Sequence, residues 1–236
     1  IYYEADLLDL KNQLTAGTLS LSDYQAELAR LMNDTSSETM GEIETILKSV
    51  KKNIQGFETD EAKNDFIAGN IDISYQWSGD AVYIMDEVEA ESEIACSYSI
   101  PEAASNLWFD GWVLMKDANV DAATMFVNYV SRPDNVVRNM YYIGYTSCVA
   151  GEEVFDYVAE TYGAEENDNT AVSYDLKYFF GDNEKYILST PSEQLTRQLF
   201  AQYPDEKTMQ RCVVMQYFNE DANTRANLLW QNVLAS

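Results

Sequence analysis

The sequence predicts an α/β protein with a largely parallel sheet. Apolar residues recur at helical spacing in several segments, and shorter segments between them alternate apolar and polar residues as strands do. Helical segments between strands are typical of parallel pairing, because a parallel crossover needs about a dozen residues. The chain has 236 residues, of which 46% are hydrophobic, so it can bury a core as one large domain or two small ones.

The first 55 residues predict three helices. The apolar positions at helical spacing are Leu7, Leu10, Leu14; Tyr24, Leu28, Leu31; and Met40, Ile43, Leu47, Val50, Ile54. Gly17 lies where the first helix should end. Two pairs of serines are candidate N-caps for the next two helices, namely Ser20 or Ser22 and Ser36 or Ser37.

The middle of the chain mixes short helices with strands. Ile71, Ile73 and Tyr75 alternate with polar residues, which predicts a strand that ends at Trp77. The predicted elements are, in order, a helix over 60–68, a strand over 71–76, a helix over 78–85, and strands over 94–100 and 111–114.

The remainder is mainly helical. One helix is predicted from Asn119, and its successor has Pro133 in the first turn and ends near Gly144. An acidic loop is expected over 163–169. The run TPSE at 190–193 matches a capping box and predicts a helix as far as about residue 203, and a last helix is predicted over about 222–234.

The charge of the chain is strongly negative. Fifteen Lys and Arg against 40 Asp and Glu give a formal net charge of −25, which opposes binding to nucleic acid and favours a cationic partner. The same acidity also serves solubility. The chain has no His, so His-based triads and zinc sites are excluded. No apolar run reaches the roughly 18–20 residues of a membrane span.

Nothing in the sequence predicts catalysis. The cysteines are far apart with no CxxC pair, so they indicate neither a metal site nor a dense disulfide framework, although one disulfide remains open: Cys96, Cys148 and Cys212. Cys148 has no His to activate it. The adjacent carboxylates 86–87 and 152–153 suggest glycoside hydrolysis, but neighbours on a helix do not face each other, which favours solvated charge.

Aromatic residues beside carboxylates are the most informative feature. Ring faces attract an ammonium group by about 0.5–2 kcal/mol, and a carboxylate adds a charge-assisted hydrogen bond. In Trp108-Phe109-Asp110, alternation places the first and third side chains on the same side. Trp77 precedes a turn into a helix, and Tyr145 follows a glycine at a helix end. Each of these residues also fits a purely structural role in packing or in a turn.

Several runs, in this order and spacing, resemble the spermidine/putrescine-binding proteins of bacterial ABC transporters. The runs are YQWSGDAVY at 75–83, SNLWFDGW at 105–112, SRPD at 131–134 and IGYT at 143–146. GFETD at 56–60 and QYPD at 202–205 extend the likeness across nearly the whole chain. The resemblance is strongest to the Gram-positive branch of that family.

The resemblance implies a type II periplasmic-binding-protein-like fold with two lobes that close over a ligand. It assigns 1–109 and 155–236 to the C-terminal lobe and 110–154 to a segment that crosses into the N-terminal lobe. The family's N-terminal lobe and its acidic motif of Asp-Ser followed by Arg and an acid are expected before the point where this sequence starts. The chain is therefore expected to carry an incomplete site.

The resemblance also implies the ligand contacts. It assigns Trp77 and Trp108 to sandwich the methylene chain, Asp110 to hold an amine, and Tyr145 to add a hydroxyl or an aromatic wall. Gln216 loosely matches a polar contact near the C-terminal end. No catalytic residue, metal or cofactor is expected.

The implied partners are a polyamine and the permease subunits of an ABC transporter, with no nucleic acid. The implied location is extracellular, at the cell surface, on a lipid-anchored or otherwise membrane-anchored parent protein. This chain is expected to bind a polyamine weakly or not at all. The segment 110–154 is expected to expose apolar surface and therefore to self-associate or to be mobile.

Three other interpretations remain open. The aromatic and acidic pattern also suits a different organic cation such as a quaternary amine, which ligand competition separates from a polyamine. A fragment of a carbohydrate-active enzyme would need two carboxylates facing each other about 5–9.5 Å apart in a cleft. A structural or antigenic module is the third.

Overall fold

The structure is a computed structural model that describes residues 2–92 and 94–236. The chain divides into two compact units. The first unit comprises the chain up to Glu58 together with 100–109 and 207–236, and the second comprises 59–99 and 110–206. The structure contains both helices and strands, as the predicted mixed class requires, whereas the assignment of 1–109, 110–154 and 155–236 to lobes stays a prediction.

The first unit is mainly helical and includes one parallel pair of strands. Its elements are α1 (Glu4–Thr15), α2 (Leu21–Met32), α3 (Ser37–Val50), a 3₁₀ turn (Lys51–Asn53), β1 (Ser105–Leu107), α11 (Glu206–Gln210), β4 (Cys212–Val214) and α12 (Glu220–Ala235). β1 and β4 pair in parallel, with Leu107 opposite Val214. The core of this unit lies between α1, α2 and β4 and includes the buried residues Leu7, Tyr24, Leu28, Leu31 and Val213.

The predicted helix starts of the first unit are confirmed, but α3 ends at Val50, so Ile54 lies outside the third helix. Ser20 accepts a hydrogen bond from the backbone N–H of Asp23, and Ser36 accepts one from Thr39, so each serine caps a helix. Gly17 follows the first helix with a φ of 69°, a conformation that costs a glycine little. The helix predicted near the C-terminus is also present, two residues longer at its start.

The second unit contains the remaining helices and an antiparallel strand pair. Its elements are α4 (Ala62–Ile67), α5 (Ser78–Glu91), α6 (Val120–Val130), α7 (Pro133–Ile143), α8 (Glu152–Tyr162), β2 (Ala171–Asp175), α9 (Lys177–Phe180), a 3₁₀ turn (Glu184–Tyr186), β3 (Ile187–Pro191), a second 3₁₀ turn (Ser192–Thr196) and α10 (Gln198–Gln202). β2 pairs antiparallel with β3.

Two apolar clusters form the core of the second unit. The larger lies between α7, α8, β2, β3 and α10, and it includes Met140, Val158, Leu176 and Leu199. The smaller lies along α5 and includes Val82, Met85 and Val88, with Phe66 and Ile67 of α4 packed against it. The clusters hold the ends of α5 and α7 in place, and these two ends carry two of the candidate ligand contacts, Trp77 and Tyr145.

Three predicted strands are wrong. The segments 71–76, 94–100 and 111–114 are not strands, and within the described residues the strands form one parallel and one antiparallel pair instead of a largely parallel sheet. Ile73 and Tyr75 are 89% and 86% exposed, so the predicted apolar face of the first segment is not buried. Alternation indicates one apolar and one polar face, but a strand also needs a hydrogen-bonded neighbour, which a local pattern does not reveal.

The predicted helix over 190–203 is only partly correct. Pro191 ends β3, and the following residues form a 3₁₀ turn before the short helix α10 begins at Gln198. Thr190 does not cap a helix, because its hydroxyl donates to the carbonyl oxygen of Tyr162 at 2.5 Å. Glu193 pairs with Arg197 instead of completing a capping box. A buried tertiary hydrogen bond therefore replaces the local capping motif.

Candidate functional site

The first group of predicted contacts lies where α5 begins and α7 ends. Trp77 precedes α5, its backbone is extended, and its carbonyl oxygen accepts the N–H of Ala81 at 3.0 Å. Trp77 is 41% exposed. Gly144 ends α7 in the left-handed conformation with φ 72°, and the chain then turns to place Tyr145 against the start of α5.

The close approach of these two helix ends depends on two glycines. A Cβ at Gly79 would overlap the ring of Tyr145, and a Cβ at Gly144 would lie 2.9 Å from the carbonyl oxygen of Gly79. Both positions therefore require the absence of a side chain. The sequence pattern indicated only that Gly79 belongs to a turn that begins a helix. The pattern did not predict the contact between Gly79 and Tyr145.

Gln202 of α10 holds the turn that carries Tyr145. Its side-chain amide donates to the carbonyl oxygen of Gly144 at 2.8 Å, and its backbone carbonyl accepts the hydroxyl of Thr146 at 2.6 Å. The hydroxyl of Tyr162 donates to the Gln202 side-chain oxygen at 3.2 Å. Gln202 is buried, so these bonds are shielded from water and fix the orientation of the turn.

Three carboxylates act electrostatically on the hydroxyl of Tyr145. Burial, together with the negative charges of Asp80, Asp110 and Asp60, raises the pKa of Tyr145 to about 12, although a hydrogen bond from the backbone N–H of Asp80 opposes the shift. The hydroxyl therefore stays protonated at neutral pH and can donate a hydrogen bond. We call Trp77, Asp80, Asp110 and Tyr145 the Tyr145 corner.

Lys63 is the positive charge at this corner. Its Nζ lies 3.4 Å from Oδ1 of Asp80, and the two side chains are 28% and 14% exposed. Sequence reasoning missed Lys63 altogether and interpreted Asp80 only as part of the turn after Trp77. The acid in the WSGD run was a usable signal for Asp80, whereas Lys63 lies 17 positions away and gave no local signal.

The other two predicted contacts lie in the first unit. β1 and β4 run parallel and end at Leu107 and Val214, so Trp108 and Gln216 both follow the carboxyl end of the same strand pair. Carboxyl ends of parallel strands are common ligand sites in α/β proteins. Trp108 is 58% exposed, and the backbone N–H of Gln216 donates to Oδ1 of Asn33 at 2.8 Å. Gln216 also lines an open groove beside Asn33 and Asp34.

The residues considered for catalysis have structural surroundings. Asp86 accepts a hydrogen bond from Gln198 at 3.0 Å, and burial raises the pKa of Asp86. Glu152 pairs with Lys185 at 3.3 Å. All three cysteines are free thiols, and Cys148 is exposed. Within 2–92 and 94–236, no group of three or more Cys, Asp or Glu could hold a metal ion, and no helix is long and apolar enough to cross a membrane.

A large part of the chain matches a known family. Residues 12–154, or 143 of the 236 residues, match the model of a family described as bacterial extracellular solute-binding proteins. The matched range contains the Tyr145 corner and Trp108, and it ends before Gln216. The family therefore covers four of the five predicted contacts.

Two curated relatives are similar over shorter ranges. The putrescine-binding periplasmic protein PotF of Escherichia coli is 31% identical over 104 residues, which are 43% of this chain and 28% of PotF. A putrescine/agmatine-binding protein of Pseudomonas aeruginosa is 27% identical over 115 residues, which are 48% of this chain and 31% of that protein. The matched segments thus cover less than a third of either relative.

Proposed function

Because the chain belongs to the bacterial extracellular solute-binding protein family, we propose that its solute is a polyamine. Both relatives are named as binding proteins, and both names include putrescine. The family is extracellular by description, so the chain works in the periplasmic or extracellular compartment. We also propose a two-lobed type II fold and a lipid-anchored parent protein that delivers the solute to the permease subunits of an ABC transporter.

The observation that carries the proposal is the charge and ring composition of the Tyr145 corner. The protonated hydroxyl of Tyr145 lies among three carboxylates, and the exposed ring of Trp77 stands at the start of the same helix. An ammonium group suits this setting because it can pair with a carboxylate and contact a ring face together. A quaternary amine has no N–H to donate, so the carboxylates favour a primary amine.

We assign one role to each contact. Asp110, which is exposed, holds a ligand ammonium group, Trp77 contacts the methylene chain, and Tyr145 supplies a hydroxyl or an aromatic wall. Asp80 contributes negative charge at the same corner. Trp108 and Gln216 are also proposed contacts. Separate variants have to test them, because both residues belong to the first unit.

We expect weak binding by this chain. The matched segments cover less than a third of the putrescine-binding relatives, so we propose that the chain supplies only part of the cleft. Each missing charge-assisted hydrogen bond removes about 1.5–3 kcal/mol. Two such losses move a micromolar dissociation constant to about the millimolar range or beyond.

The test is an NMR titration with putrescine, spermidine and choline, following the indole N–H signals of the four tryptophans. We expect saturable, millimolar binding of the two polyamines and weaker binding of choline. Micromolar binding would contradict the proposed partial cleft. Tighter binding of choline would contradict the polyamine assignment and favour a quaternary amine.

Asp110→Asn should weaken putrescine binding about tenfold or more, because it removes the ammonium partner. The matched control is Asp117→Asn, which removes the same charge from a nearby exposed position with a φ of 67° that asparagine tolerates. Equal affinity of the two variants would mean that Asp110 acts only through the overall charge.

A further inference from the structure

The ion pair between Lys63 and Asp80 joins α4 to the first turn of α5. The atoms Nζ and Oδ1 are 3.4 Å apart, and both side chains are largely shielded from solvent. The same Asp80 contributes its backbone N–H and its negative charge to the hydroxyl of Tyr145. Lys63 therefore reaches directly into the Tyr145 corner.

The corner is not neutralised by this pair. Asp60, Asp80 and Asp110 all act on Tyr145, and across residues 2–92 and 94–236 no lysine or arginine forms an ion pair with Asp60 or Asp110. One internal cation thus stands among three carboxylates. A ligand ammonium group that approaches Asp80 meets a carboxylate that already has a partner.

The pair is not the only contact that holds α4 in place. Phe66 and Ile67 of that helix pack against the apolar cluster along α5, which contains Val82 and Met85. An ion pair of this kind adds little net stability, since desolvation and side-chain ordering offset most of its attraction. A charge placed at a ligand site with so small a structural role suggests a part in recognition.

We propose that Lys63 is a specificity-determining residue that competes with ligand ammonium groups for Asp80. This inference rests on the proposed polyamine function. The Lys63 charge repels every ammonium group near the corner, and the repulsion grows with the number of charges that the ligand brings close. Lys63 therefore disfavours a triamine more than a diamine, and a diamine more than a monoamine.

Lys63→Met tests this, because methionine keeps much of the aliphatic volume and removes the charge. We expect the affinity for spermidine to rise about tenfold (about 1.4 kcal/mol), that for putrescine to rise less, and that for a monoamine such as butylamine to change least. The matched control is Lys185→Met, which removes the same charge from an ion pair with Glu152. The control should leave all three affinities within about twofold, because exposed charges away from the site are screened by salt.

The readout is the ratio of the spermidine and putrescine affinities, measured by the NMR titration described above. If Lys63 had a purely structural role, its replacement would lower all affinities in parallel and leave the ratio unchanged. That result would overturn the inference about Lys63, while the proposed function would stand. If neither the wild-type protein nor either variant binds any polyamine saturably, the proposed function fails and the inference fails with it.

Lys63→Gln provides a second variant in case the methionine variant does not fold, since glutamine can still donate a hydrogen bond to Asp80. It should raise the spermidine to putrescine ratio in the same direction. In the wild-type protein the side-chain signals of Lys63, assigned by their loss in this variant, should shift on addition of spermidine. Signals that stay constant at saturation would overturn the proposal.

Discussion

The ring of Tyr145 occupies the space that a side chain at Gly79 would need. The start of α5 and the end of α7 can therefore meet only because residue 79 is a glycine. Gly79→Ala should destabilise the protein by about 1–3 kcal/mol, because the ring has to move out of a packed position. Urea unfolding monitored by circular dichroism measures this loss.

Gly41→Ala is the matched control for that change. Gly41 lies inside α3, and a Cβ there would meet no atom within 4 Å. The control should stabilise the protein by about 0.5–1 kcal/mol, since alanine favours a helix interior. If both variants have the same stability, the ring of Tyr145 does not depend on Gly79.

Gln202→Leu should cost about 1–3 kcal/mol, because it leaves the hydroxyl of Tyr162 and the carbonyl of Gly144 without their partner. Adding Tyr162→Phe to this variant should recover part of the loss, since the second change removes one of the unsatisfied groups. A double-mutant cycle from unfolding curves measures the coupling. Strictly additive losses would show that the hydrogen bond between the two side chains contributes nothing.

Asp34 makes the stability of the protein sensitive to acid. Hydrogen bonds from Thr39, Tyr3 and the backbone N–H of Ser36 lower the pKa of Asp34 from 3.8 to about 2. The stabilisation is thus complete above the unfolded pKa and is lost as the pH falls through the folded pKa. Asp34→Asn should flatten the fall in stability between about pH 4 and 2.

Urea unfolding at stepped pH measures the Asp34 effect. Glu42→Gln, an exposed position on α3, is the control and should leave the acid profile unchanged. A wild-type profile that is already flat between these pH values would contradict the assignment.

The three thiols should react at different rates. Cys148 is exposed, whereas Cys96 is buried and its burial raises the pKa of its thiol. Brief treatment with iodoacetamide should label Cys148 first, Cys212 more slowly and Cys96 last. Peptide mass spectrometry measures the order, and labelling in urea should abolish the differences.

Exposed apolar side chains in the second unit favour self-association. They include Val113 and Met115, which are 83% and 77% exposed. The charge of −25 opposes association, so sedimentation should show larger species as the salt concentration rises. Val113→Lys should reduce those species, and Tyr217→Lys, at an exposed position in the first unit, should not. A monomer at all salt concentrations would contradict this expectation.

Local signals in the sequence predicted most of the long helices, missed α8 and failed for the strands. A cap such as Ser20 needs only a backbone N–H three residues away, and a left-handed stop such as Gly144 needs only its own conformation. Strand pairing depends on distant segments, and for this reason the alternation of Ile73 with its neighbours was misleading. The hydroxyl of Thr190 likewise donates a hydrogen bond to the distant carbonyl oxygen of Tyr162, which the local capping pattern does not predict.

In the candidate site, too, the sequence predicted residues that lie in local motifs and missed a residue that depends on a tertiary contact. The runs that carry the resemblance contain Trp77, Asp110 and Tyr145, and the structure gathers the first turn of α5 and the residue after Gly144 at one corner. Lys63 was missed because its partner Asp80 lies on another helix. Its importance depends on a tertiary contact between α4 and α5, which periodicity and composition do not encode.

The parallel pairing of β1 with β4 has a consequence for the order of folding. Leu107 and Val214 are more than one hundred residues apart in sequence, and closing a loop of that length costs entropy that grows with the logarithm of its length. Most of the second unit is inserted between these strands. If the insert folds first, the effective loop shortens, so the first unit should acquire its sheet only after its neighbour in the chain has become compact.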